Sequence, residues 1–136
     1  MSLTMVKNDK AQKFVERLVE MLASEEIVKL SGEDRDDFLS LLDDMKKTAV
    51  EYTKIRADWE FMTREERIDR DEGRTARHDA YLCAIRPLIR LANRTAGGKY
   101  QDLQDEAESM DRKDLGDIAN YITFLIAVSN RLSISA

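Results

Sequence analysis

Apolar residues return every third or fourth position along most of this chain, the rhythm of a helix with one buried face. Ala11, Phe14, Val15, Leu18, Met21 and Leu22 lay out a first helix, and Asn8 or Asp9 stands where an N-cap is needed. Ser24, Ser31 and Gly32 punctuate the chain after it, so Glu25–Leu30 reads as a separate short turn of helix. A long second helix is predicted from Glu33 to Met62. Phe38, Met45, Tyr52 and Trp59 recur every seven residues there, interleaved with Leu41, Thr48, Ile55 and Met62, which is a bundle seam.

Two boundaries fit the next stretch. Thr63 with Glu66 spells a capping box that opens a new helix. Alternatively, the long helix runs on to Glu72 and stops at Gly73 as a left-handed C′ residue, with part of the charged Thr63–Ala80 segment as loop. Leu82, Ile85, Leu88, Ile89 and Ala92 then resume a helical stripe, which Thr95–Gly98 ends. Pro87 cannot donate to the Cys83 carbonyl, which predicts a kink or break between them.

Tyr100, Leu103, Ala107 and Met110 describe a short connector helix. The final helix opens at Asp111 and Asp114. Its main stripe is Leu115, Ile118, Ala119, Ile122, Leu125, Ile126, Ser129 and Leu132, with Tyr121, Phe124 and Val128 forming a second beside it. A helix apolar on two faces is either central in a bundle or shared with another subunit. The expected fold is all-α: one helical-bundle domain over residues 1–136, with about four main helices, one of them long, and a short connector. Met1–Thr4, ahead of Met5, read as an expression remnant.

Composition sharpens this picture. One proline and five glycines leave little turn chemistry for a β fold. A single cysteine cannot close an internal disulfide, and no membrane-length apolar run occurs, so a cytoplasmic setting is expected. The net charge of −5 argues against general nucleic-acid affinity, which rests on many cations against phosphates. Charge is also polarised. Six acids and one arginine lie between Glu33 and Asp44, whereas Ala80–Gln101 holds no acid and presents Arg86, Arg90, Arg94 and Lys99.

The candidate chemistry rests on these patterns. The only histidine, cysteine and proline fall within His78–Pro87. Read in sevens, Ile68, Asp71, Thr75, His78, Leu82, Ile85, Ile89 and Ala92 share a stripe. Asp71, Arg74 and His78 therefore form a polar row on the core seam, facing Tyr52 or Trp59. Such a row is either a layer that fixes helix register or an acid/base or anion site. His78 and Cys83 sit five positions apart, off one another's face, so no nucleophilic cysteine is expected. Arg86, Arg90 and Arg94 form an i, i+4, i+8 row that either binds phosphate, nucleotide or RNA, or pairs with the acidic Glu33–Asp44 segment.

The segment "DLGDIANYITFLI", with Asp114 and Asp117 as Asp-x-x-Asp, resembles the second acidic motif of the all-helical MazG-like nucleotide pyrophosphohydrolases. The resemblance covers about a dozen residues and implies Mg²⁺ held against a triphosphate. Glu65, Glu66 and Asp69 would then stand in for the family's first motif. This chain departs from it by having Asp at the last of those positions and a long gap between the two motifs. Helical ribonucleases of the HEPN kind place an Arg and a His farther apart than Arg74 and His78, so that pattern is not met. The chain is assigned to neither family. The leading expectation is a protein without catalysis or cofactor that acts through association with a protein partner, as a homodimer through Ile118–Leu132. A magnesium-dependent nucleotide enzyme and an anion-binding regulator using the arginine row are the alternatives.

Overall fold

A computed structural model describes residues 7–134, so the Met1–Thr4 stretch lies outside the described residues. The helices are α1 Asp9–Leu22, α2 Glu25–Val28, α3 Gly32–Trp59, α4 Arg64–Thr95, α5 Gln101–Ser109 and α6 Arg112–Val128, with no strand among the described residues. α1 begins where Asn8 Oδ1 accepts the Ala11 N–H at 3.1 Å. All six apolar positions of its predicted stripe are buried.

The boundary after α3 falls at Thr63. Its hydroxyl accepts the Glu66 N–H at 3.1 Å, and Glu66 Oε1 accepts the Thr63 N–H at 3.1 Å, completing a capping box. α3 therefore ends at Trp59, short of Met62, and Gly73 lies inside α4 rather than at a terminus. The charged segment after Thr63 is helical, not loop. α4 also runs through Pro87, so the predicted break does not occur. Ala84 and Ile85 before Pro87, and Leu88 and Ile89 after it, are buried in one core. That packing carries the helix past the lost hydrogen bond. α4 stops at a Schellman turn: Gly97, at φ 66°, donates to the Arg94 carbonyl at 3.2 Å, and the Gly98 N–H reaches the Asn93 carbonyl at 2.9 Å.

α3 and α4 pair antiparallel, with Tyr52 against Tyr81 and Trp59 against Arg74. α6 lies antiparallel on the other side of α3, where the Thr123 hydroxyl meets Thr53 Oγ1 at 3.1 Å. α1 runs parallel to α6, and α5 folds back on α4. Tyr100, Leu103, Ala107 and Met110 of the connector region are all buried, as their spacing predicts.

Two register expectations need correction. The seven-residue seam of α4 does not extend through Ile68 and Asp71: Ile68 is 67% exposed and Asp71 is also exposed. Beyond α3, α4 packs chiefly on α5, whose side-chain bonds to it lie at Arg86, Arg90 and Asn93, so an apolar stripe in the first turns has less to bury against. The core begins instead at Tyr81 and continues through Ala84, Ile85, Leu88, Ile89 and Ala92. In α6, Ile118, Ala119 and Ile122 are consumed by the chain's own core. The helix ends at Val128, and Leu132 is buried from the turn beyond it. No helix among the described residues is long and apolar enough to cross a membrane.

Candidate functional site

The later half of α6 leaves apolar surface uncovered. Phe124 and Leu125 are half-buried, and Val128 is 58% exposed. Between α1 and α6 lies a groove of about 360 Å³ with Val15, Val19, Tyr121, Phe124 and Leu125 as its apolar lining. Glu16 of α1 and Arg131, beyond α6, stand on its rim. The groove lies where α1 and α6 run side by side, with Val15 and Val19 from one helix and Tyr121, Phe124 and Leu125 from the other.

At the other end of the same helix pair is a buried carboxylate. Asp117 is 2% exposed and accepts from Asn8 Nδ2 at 2.8 Å, Arg56 Nη2 at 3.3 Å and Lys113 Nζ at 3.3 Å. Asn8 Nδ2 also donates to Asp114 Oδ1 at 2.9 Å while Asn8 Oδ1 caps α1. One amide thus ties the start of α1 to two carboxylates of α6. Burial works to raise the Asp117 carboxyl. The hydrogen bonds from Asn8, Lys113 and Arg56, with Arg56's charge, outweigh it and hold the group below the ordinary aspartate range. Gly116 makes room for this arrangement: a Cβ there would lie 2.5 Å from Arg56 Cζ.

The α3/α4 pair holds a third polar constellation. His78 presents Nδ1 to Asp79 Oδ1 at 3.2 Å, and its ring stands edge-on to Tyr52 with centroids 5.3 Å apart. The Arg74 guanidinium lies 4.6 Å from the Trp59 ring centroid. Tyr81, with no exposed surface, stacks on Tyr52 at 5.9 Å. Burial, the neighbouring Tyr52 phenol included, pushes the Tyr81 hydroxyl far above its usual range, so it stays neutral. Arg74 Nε, His78 Nε2 and the Tyr81 hydroxyl are enclosed and have no hydrogen-bond partner. An enclosed polar atom left so costs about 1–3 kcal/mol.

Of the residues expected from sequence, Arg74 and His78 share this face, opposite Tyr52 and Trp59, but the exposed Asp71 does not join them. The arginine row divides. Arg86 Nε donates to the Ala107 carbonyl at 3.0 Å and Arg90 binds the Glu108 carboxylate, both on α5 rather than on the acidic Glu33–Asp44 segment. α5 folds directly onto that face of α4 and supplies the nearer acceptors. Arg94 stays exposed, facing a cleft shared with Asp37 and Ser40 of α3.

Cys83 is an exposed free thiol. The acids of the magnesium reading do not assemble. Glu66 serves the capping box, Glu65 and Asp69 are exposed, and Asp117 is already engaged by two cations. Among the described residues no group of three His, Cys, Asp or Glu is placed to hold a metal ion.

Sequence reasoning missed Asn8 and Arg56 as partners of Asp117, because they lie 109 and 61 residues away. It also missed Asn93, a buried polar side chain that accepts the Tyr100 N–H at 2.8 Å and donates to Gln101 and Gln104 at 2.9 and 3.0 Å. Its signal was present: an amide beside Ala92 in the apolar register, just ahead of the Gly97–Gly98 turn.

The fold thus defines an all-α bundle built on an α3/α4 hairpin and closed by its first and last helices. No family model, curated protein or solved structure matches the chain.

Proposed function

We propose that this protein is an association module whose α1/α6 face pairs with a second copy of the same chain. The observation that carries the reading is the groove lined by Val15, Val19, Tyr121, Phe124 and Leu125, which continues to the exposed Val128. Contiguous apolar surface of this kind marks an interaction site. Its rim carries one acid, Glu16, and one base, Arg131. Self-complementary charge suits a two-fold interface, because Glu16 of each copy meets Arg131 of the other. A stable dimer covers about 800 Å² on each partner, so α1 must contribute alongside α6. Ile118 and Ile122, inside the core, contribute nothing to this contact.

Sedimentation equilibrium across micromolar concentrations tests the reading. The wild type should sediment as a dimer, and Phe124→Glu should sediment as a monomer with its helical circular dichroism intact. A wild type that stays monomeric up to several hundred micromolar would overturn it.

A further inference from the structure

α3 carries one spacing twice, with the charges reversed. Asp36, Leu39 and Asp43 stand three and four positions apart, and Lys47, Val50 and Lys54 repeat that spacing eleven residues later. Eleven residues close three turns at about 3.6 residues each, so both triplets lie on the same side of the helix. α4 and α6 pack on α3 elsewhere: the four charged residues and Leu39 are exposed, and Val50 is half-buried. We propose that this outer face of α3 is a second self-association surface, separate from the α1/α6 face, on which α3 helices of two copies pair antiparallel.

The reversal of charge fixes the occupant as a second copy. About a two-fold axis level with Met45, Asp36 of each copy meets Lys54 of the other, and Asp43 meets Lys47. A parallel pairing in register would set like charge against like. The axis also keeps corresponding flanks together, so Leu39, which shares the flank of Val50, comes to Val50 and Ile126 of the other copy. A groove of about 310 Å³ lies there, with Val50 and Ile126 as its apolar lining and Lys46, Lys47 and Lys54 around them. Leu39 is 37% exposed and Ile126 38%, apolar surface that the chain itself leaves open. Glu51, also at the groove, comes level with Ser40 of the other copy, so no acid faces an acid. Asp36 and Lys54 have no ion-pair partner among the described residues. Asp43 and Lys47 pair with each other at 3.0 Å, and the axis sets a second such pair beside the first with signs alternating.

The two association faces do not overlap. Ile126 is two positions from both Phe124 and Val128, which puts it on the opposite side of α6. A helix face about 27 Å long covers less than the about 800 Å² that a stable dimer needs on each partner, so copies join weakly here. Exposed ion pairs are also screened by salt. Proteins already paired through α1/α6 present the face twice, which links dimers into tetramers; only this last step rests on the proposed function.

Sedimentation velocity in a Phe124→Glu background silences the α1/α6 face and reads α3 alone. Monomeric at micromolar concentration, that protein should dimerise at several hundred micromolar in about 10 mM salt and return to monomer in about 0.3 M salt. Asp36→Lys with Asp43→Lys makes the face wholly basic, and Lys47→Asp with Lys54→Asp makes it wholly acidic. Either pair alone should weaken association at least tenfold, and an equimolar mixture of the two proteins should recover it. Exchanging all four in one chain keeps the net charge at −5 and should leave self-association intact. Circular dichroism checks that these exposed substitutions leave the helices formed. In the wild-type background the same variants should control the step from dimer to tetramer.

Three results would each overturn the proposal: a Phe124→Glu protein that stays monomeric to about 1 mM in low salt, single-sign variants that associate as their parent does, or a mixture that stays apart. None of them bears on whether the wild type dimerises through α1/α6 at micromolar concentration.

Discussion

Gly116→Ala sets two known effects against each other at one atom. In an ordinary helix interior the change stabilises by about 1 kcal/mol, because alanine loses less backbone freedom than glycine. Here the added Cβ would lie 2.5 Å from Arg56 Cζ and 2.7 Å from both Nε and Nη1. The guanidinium must leave, and with it the 3.3 Å contact to Asp117 Oδ1. Breaking a buried ion pair costs about 3–5 kcal/mol when the remaining charge is left alone. Asp117 keeps Asn8 and Lys113, and Arg56 escapes readily to water, so about 2–3 kcal/mol is the reasonable loss. The net expectation is destabilisation by about 1–2 kcal/mol, read as a lower urea midpoint with an unchanged slope. The decisive measurement repeats the change in an Arg56→Ala background. With nothing for the Cβ to meet, Gly116→Ala should there become stabilising by up to about 1 kcal/mol. Equal effects of Gly116→Ala in both backgrounds would show that Arg56 does not occupy the space above Gly116.

The remaining predictions concern the same scaffold. Asp117 is depressed in the folded state, so the unfolded chain takes up its proton first on acidification. The stability it contributes is complete above the ordinary aspartate pKa of about 3.9 and is lost as pH falls through the lower folded value. Thermal melts of Asp117→Asn should therefore show a shallower decline than wild type as pH falls below about 4. Asn93→Ala strands the buried Tyr100 N–H and should cost about 1–3 kcal/mol by urea denaturation. Thr63→Ala removes half of a capping box and should cost about 1 kcal/mol, whereas a loss near zero would mean that the start of α4 frays in solution. Cys83 should react fully with a thiol reagent in the native protein, without waiting for unfolding.

The helices were legible wherever one face had a core to meet. α1 is the clearest case: Phe14, Val15 and Leu18 are buried as their spacing requires. The Thr63 box and the Gly97 stop were also readable, because capping is local chemistry. The start of α4 was not. Its heptad register placed Ile68 and Asp71 inside, but whether a helical face is buried depends on a third element arriving, which periodicity does not encode. Of the polar row, Arg74 and His78 could be placed against Tyr52 and Trp59 from spacing within the hairpin. Tyr81 was passed over because Leu82 completed the expected pattern. The Asp-x-x-Asp of α6 drew attention for the right residues, but its partners, Asn8 and Arg56, come from helices far away in sequence. The intervening Gly116 was the local sign that another chain segment passes close by.

The double duty of Asn8 bears on the order in which this molecule can be made. Its amide nitrogen is held by Asp114 and Asp117, which lie 106 and 109 residues further along the chain. On a ribosome, α1 emerges before α6 and lacks this seat until α6 follows, while α3 and α4, which lie between them in the chain, can already close as a hairpin. Contacts between distant segments are entropically late. Until then the part of α1's apolar face that α6 covers stays open. The arrival of α6 is the event that turns a growing hairpin into a finished domain.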